Sequence, residues 1–248
     1  MSIHTPSFAL IPSSQVVLEG KYITLQPCQP SQDASELYDM SHGSPEKESI
    51  WEYLYMGGSV TPFPNVQEFQ QLLEKRVATS ASSSTTPVPN RYYSWTVVEN
   101  QTRMKIGNLC LMNAYPDHGR IEIGAVWVAK PYHRTNVNTE ACFLLMCYAF
   151  EVLQYSRVEW KCDERNKRSS GAAKKMGFSY EGTFRKHMIV RDGFARNTDW
   201  YSIIDEDWFG GKKKLYLQHD RLKYEKQDDE RLANMIQYLR RMNGNNKL

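Results

Sequence analysis

From Ile121 a strand of alternating character, I-E-I-G-A-V-W-V, runs into the polar loop K-P-Y-H-R-T-N-V-N-T-E-A, and that loop opens a helix. A strand–loop–helix junction of this kind restricts the fold to a sheet with helices packed on it. Unpaired backbone N–H groups at the helix start, added to the helix dipole, suit a phosphate. His133 and Arg134 add side-chain donors, and Arg134 adds fixed charge. Asn136 and Asn138 are residue types that accept left-handed or turn backbone. On the residues alone this is an anion-binding junction. Asn138 or Thr139 acting as a plain helix cap fits the spacing equally well.

The flanking patterns supply the rest of the sheet. Lys21–Leu25 alternates as a strand, and Ser31 caps a short helix to Met40. Asn65 caps a helix in which Val66, Phe69, Leu72, Leu73 and Val77 recur at helical spacing. Residues 79–90, T-S-A-S-S-S-T-T-P-V-P-N, read as a flexible surface loop. Strands follow at Tyr92–Glu99, Lys105–Asn113 and Arg120–Val128, joined by turns at Asn100-Gln101 and Pro116–Gly119. A helix is expected from about Thr139 to Leu153, a strand at Arg157–Cys162 and a helix at Lys167–Met176. The strands Gly182–Val190 and Asn197–Ile204 flank a turn at Arg191-Asp192-Gly193. This order makes an α/β chain with a mixed sheet whose later helices cross its faces. Leu215–Leu239 reads as an appended charged helix, and residues 1–15 as a loosely ordered N-terminal segment.

Composition narrows the setting. The chain has 248 residues, 41% of them hydrophobic, enough for a buried core. A net charge of +3 is too small to indicate nucleic acid as a partner. The five cysteines form no C-x-x-C pair, which argues against a disulfide framework or a zinc site and for a reducing, cytoplasmic setting. No secretory signal is legible, and the longest apolar stretch, Ala141–Leu153, is too short to span a bilayer. No metal and no membrane partner are expected.

Four stretches together carry a family resemblance. P-Y-H-R-T-N-V-N-T-E-A, then Y-A-F-E, then R-V-E-W-K-C-D-E-R-N-K-R-S-S, then K-K-M-G-F-S-Y-E-G-T-F-R resemble the GNAT superfamily of N-acetyltransferases, and within it the RimJ/RimL-like branch. The likeness runs from Val17 to Trp208 and is strongest from Glu122 to Arg185. It implies a mixed, largely antiparallel twisted sheet flanked by helices over residues 16–208, with residues 209–248 as a C-terminal helical tail. It also implies acetyl-CoA as co-substrate and a primary amine, a protein N-terminus or a small molecule, as acceptor, in a monomer or homodimer. The loop His133, Arg134, Thr135, Asn136, Val137, Asn138, Thr139 would then bind the pyrophosphate, Val126, Trp127 and Val128 would pair with the pantetheine arm, and the helix with Asn166 and Ser169 would lie near the thiol. The chain departs from the family pattern in two places. Asn136 and Asn138 stand where relatives carry glycine, adding bulk where backbone approaches phosphate. Ala173 stands where many relatives carry a tyrosine acid.

Direct transfer needs a base for the attacking amine. Glu122, on the strand before the loop, is the first candidate, and an exposed strand residue is its bland alternative. Alternation sets Glu122, Gly124 and Val126 on one face and Ile121, Ile123, Ala125 and Trp127 on the other. Ser169 can replace the missing acid or be a simple first-turn serine. His187 is a second base candidate or a structural strand residue. Asp192 serves its turn. Trp51, Tyr53, Tyr55 and Phe63 shape an acceptor wall or pack the core. Lys212-Lys213-Lys214 reads as a solvated face. A non-catalytic acyl-CoA-binding module on the same fold is the alternative to an enzyme.

Overall fold

The computed structural model describes residues 9–54, 63–81, 84–190, 193–213, 216 and 222–243. Eight strands form one sheet in the order β1-β2-β3-β4-β5-β6-β8-β7. They are β1 (Leu18–Glu19), β2 (Ile23–Pro27), β3 (Tyr93–Glu99), β4 (Lys105–Tyr115), β5 (Arg120–Val128), β6 (Arg157–Asp163), β7 (Ser179–Ile189) and β8 (Ala195–Ile204). Every neighbouring pair is antiparallel except β5 and β6, which run parallel. Parallel neighbours need a crossover, and helix α4 (Val137–Cys147), continued by a π-helical turn (Tyr148–Val152), provides it. All residues of α4 except Asn138 are buried. A helix apolar on every side must be covered on every side. Phe143, Leu144 and Met146 meet Ile121, Ile123 and Val158 of the sheet in one large core.

The opposite face is covered by α1 (Pro30–Ser41) and α3 (Val66–Ser80), with a short α2 (Pro45–Glu48) between them. Ala34, Leu37, Phe69 and Leu73 pack there with Trp51, Phe63 and Trp127 in a second core. Asn65 caps α3, accepting from the Glu68 N–H at 2.9 Å. Asn65→Ala is expected to lower stability by about 1 kcal/mol, read as a shifted denaturant midpoint. Ser31, expected as a cap, lies inside α1, because Pro30 takes the first helical position and Gln29 precedes it.

Strict alternation fails inside β5. Cys110 pairs with Gly124, but Asn108 pairs with Trp127, so β5 holds one extra residue there. Ala125 takes that place at φ 53°. The bulge reverses the side-chain phase. Ile121 and Ile123 face the large core, whereas Trp127, expected beside them, reaches the second core.

Described segments near both ends pack on the large core. Residues 1–8 lie outside the described residues, but Ala9 is buried and the Leu10 N–H donates to the Leu153 carbonyl. A short α6 (Asp205–Asp207) leads into a π-helical turn (Trp208–Lys212), and α7 (Lys226–Met242) follows. Leu232, Ile236 and Leu239 of α7 belong to the large core, joined by Tyr216 and Leu222. Within the helix expected over Leu215–Leu239, Lys226 onward is helical; residues 214–215 and 217–221 lie outside the described residues. Lys212 and Lys213 do not form a solvated face, because they pair with Asp207 and Glu151, each at 2.8 Å. Lys214 lies outside the described residues. Among the described residues no helix is long and apolar enough to cross a membrane. All five cysteines are buried free thiols.

Candidate active site

β5 and β6 pair at Arg120↔Arg157, Ile121↔Val158 and Glu122↔Glu159, and no further. The bulge at Ala125 then adds twist to β5, and the two strands part. The opening is a cleft of about 550 Å³. Val126, Trp127 and Val128 form one wall, Trp160 of β6 and Asn166, Ser169 and Ala172 form the other, and His133, Arg134, Thr135, Asn138 and Thr139 close one end. Asn166 caps α5 (Lys167–Lys175), its Oδ1 accepting from the Ser169 N–H at 3.0 Å. The Ser169 hydroxyl oxygen accepts from the Trp160 indole at 3.0 Å, which leaves its own hydrogen to be donated.

The loop achieves its curvature differently from expectation. Helix α4 begins at Val137, two residues early, so Asn138 and Thr139 are first-turn residues and not caps. Their backbone N–H groups belong to the set without intrahelical partners. Asn136 is right-handed, and the left-handed residue is Arg134, at φ 63°. The lost glycines therefore cost no backbone strain at either asparagine. Thr135 braces the bend, donating to the Tyr132 carbonyl at 2.7 Å and accepting from the Val137 N–H at 3.3 Å. His133 Nε2 lies 2.9 Å from the Val128 carbonyl oxygen. A carbonyl only accepts, so Nε2 carries the hydrogen and is directed at β5 rather than at an anion. Burial lowers the His133 pKa, which favours the neutral ring.

Lys130, Arg134, Arg168 and Lys175 line the cleft, and among the described residues no carboxylate does. Such a concave, positive site suits a polyphosphate. Asn136, Val137 and Glu122 are not among its lining residues. Glu122 is buried beside it, at 6% exposure. Its Oε2 accepts from Lys161 Nζ and from Asn113 Nδ2, each at 2.7 Å. Its Oε1 faces Gly124, 3.4 Å from where a Cβ would stand. Ala173 is fully buried in the large core, so that position gives the cleft no acid.

Of the other candidates, Trp51 and Phe63 are core residues, while Tyr53 lines the cleft. Tyr55 and Asp192 lie outside the described residues. His187 sits on the edge strand β7 with Nδ1 3.1 Å from Thr198 Oγ1, and burial followed by the nearby Arg196 and Lys161 charges lowers its pKa. Lys161 and Asn113 escape a motif-based reading. Lys161 did leave a signal, since Arg157, Glu159 and Lys161 alternate with the apolar Val158, Trp160 and Cys162.

Residues 23–179 match the family model described as an acetyltransferase (GNAT) domain. A GCN5-related N-acetyltransferase structure from Brucella melitensis superposes with a TM-score of 0.72 at 31% identity, over 84% of this chain and 86% of that one. A Chromobacterium violaceum structure titled a probable acetyltransferase of the GNAT family gives the same TM-score and identity, over 84% and 96%. Among curated proteins, "Putative ribosomal N-acetyltransferase YdaF" from Bacillus subtilis is 33% identical over 110 residues. That match spans 43% of this chain and 59% of the relative's length.

Proposed function

Because the chain belongs to the GNAT family of N-acetyltransferases, we propose that it transfers an acetyl group from acetyl-CoA to a primary amine by direct attack. The observation that carries this reading is the positive cleft between the parted strands, with the first turn of α4 at its end. The residues present fit the donor. Backbone N–H groups of Asn138 and Thr139, with Arg134, would hold a pyrophosphate. Val126–Val128, which β6 does not pair with, offer an apolar wall for the pantetheine arm, and Asn166 and Ser169 line the same cleft. Acetyl-CoA, once bound, supplies an activated acyl carbon and a thiolate leaving group. Glu122 accepts the proton lost by the amine, directly or through water, and the Ser169 hydroxyl can donate to the departing sulfur. The Bacillus relative carries the name "Putative ribosomal N-acetyltransferase YdaF", which supports a ribosomal acceptor. The cytoplasm suits such an enzyme.

Thiol release tests the reading: the protein, acetyl-CoA and a panel of amines and N-terminal peptides, with a thiol-reactive dye. Binding of acetyl-CoA without release for any acceptor would point to a non-catalytic module instead. Arg134→Ala is expected to raise the KM for acetyl-CoA about tenfold while changing kcat less, the loss of one charge-assisted contact. An unchanged KM removes Arg134 from the site. Arg134→Gly, which relaxes the left-handed backbone, should lose the same affinity if charge is the cause.

A further inference from the structure

Lys161 sits at the centre of a charged row on the β6 face turned away from α4. Its Nζ lies 2.7 Å from Glu122 Oε2 and 2.9 Å from Glu159 Oε2. It also stands 4.0 Å from the centroid of the Trp200 ring. Its side chain is only 12% exposed, so desolvation has to be offset by these three contacts. The two carboxylates depend on it unequally. Glu159 has two guanidinium partners of its own, Arg157 at 3.0 Å and Arg120 at 3.6 Å. Glu122, among the described residues, has no ion-pair partner besides Lys161; its remaining contact is the neutral Asn113 amide. Removing the ammonium would leave Glu159 paired and Glu122 as a buried, uncompensated charge. A carboxylate in that position takes up a proton.

We propose that Lys161 is a positioning residue of the transfer reaction: its ammonium offsets the charge of the buried Glu122 carboxylate and pins Oε2, leaving Oε1 turned toward Gly124. This rests on the reading of Glu122 as the base. The bulge at Asn113, φ 48°, re-aims that amide onto the same Oε2 and completes the clamp. The groups bearing on Glu122 are Lys161 and Glu159 from β6, Asn113 from β4, Arg196 from β8, His187 from β7 and Tyr92 before β3. Of these, Lys161 supplies the cation in contact.

The test measures kcat/KM against pH for wild type, Lys161→Met, Lys161→Arg and Glu122→Gln, with acetyl-CoA and one amine. The amine titrates identically in every variant, so the ratio of wild-type to variant rate isolates the protein group. Lys161→Met should be up to about threefold slower at pH 7 and up to about twentyfold slower at pH 6, with the deficit shrinking as pH rises, because loss of a contacting cation moves a carboxylate up by about one to three pH units. Lys161→Arg, which keeps the charge, should stay close to the wild-type profile. Glu122→Gln should be slow at every pH. A Lys161→Met deficit that is constant with pH would reduce Lys161 to a structural residue and overturn the inference while leaving the base reading intact. A wild-type profile for Glu122→Gln would remove the base and the inference together. Should Lys161→Met melt below the assay temperature, Lys161→Gln also removes the charge and carries the same expectation.

Discussion

Replacing Glu140 by alanine is expected to cost about 4 kcal/mol or more, the largest stability loss of any single carboxylate among the described residues, since each buried donor left unpaired costs about 1–3 kcal/mol. Glu140 is fully buried in the first turn of α4. Its carboxylate accepts the backbone N–H groups of Lys21, Tyr22 and Ile23 at 2.8, 2.8 and 2.9 Å. It also accepts the Tyr224 hydroxyl at 2.7 Å. One side chain thus joins the β1–β2 turn, the helix that ends the cleft and the C-terminal segment. Gly20 is required beside it, since a Cβ there would lie 2.5 Å from Glu140 Cδ. Denaturant melts check the magnitude; a loss under about 1 kcal/mol would mean that water replaces the carboxylate at those donors. Because Asn138 and Thr139 share that turn, acetyl-CoA affinity should fall in the same variant, measured by calorimetry below its melting range.

Glu122→Gln should lower kcat about a hundredfold at neutral pH while leaving the KM for acetyl-CoA within a few-fold of wild type, as for removal of a general base. The amide keeps the size and an acceptor oxygen but takes no proton. Stability should change less than in Glu140→Ala, because the side chain still meets Asn113. Unchanged kcat would clear Glu122 of the role and direct attention to His187, whose lowered pKa keeps it neutral and able to accept a proton at pH 7. Gly124 matters to the same path. A Cβ there would stand 2.5 Å from Met112 Sδ, so any side chain pushes into the space that Oε1 faces.

Local sequence alone sets a good deal of this molecule. The Asn65 cap, the periodicity of α3, the strands around Asn100 and Pro116, and the junction from β5 into α4 depend on residues a few positions apart. Capping, alternation and helix-start chemistry act over that range. The anion-suited loop was legible for the same reason, since its free N–H groups follow from the start of any helix.

What lay beyond reach involved residues far apart in the chain or single departures from a period. The extra residue at Ala125 reverses the phase of β5 and sends Trp127 to the other core, and nothing in an alternating string marks where a bulge falls. The cleft exists because parallel pairing between β5 and β6 stops after Glu122. Lys161 meets Glu122 across 39 positions, and Glu140 meets Lys21 across 119. Such meetings are fixed when the sheet assembles and the segments flanking it fold back on it. A buried charge is tolerated only where partners from distant segments arrive together, so its role is decided by the tertiary structure and not by its neighbours in sequence.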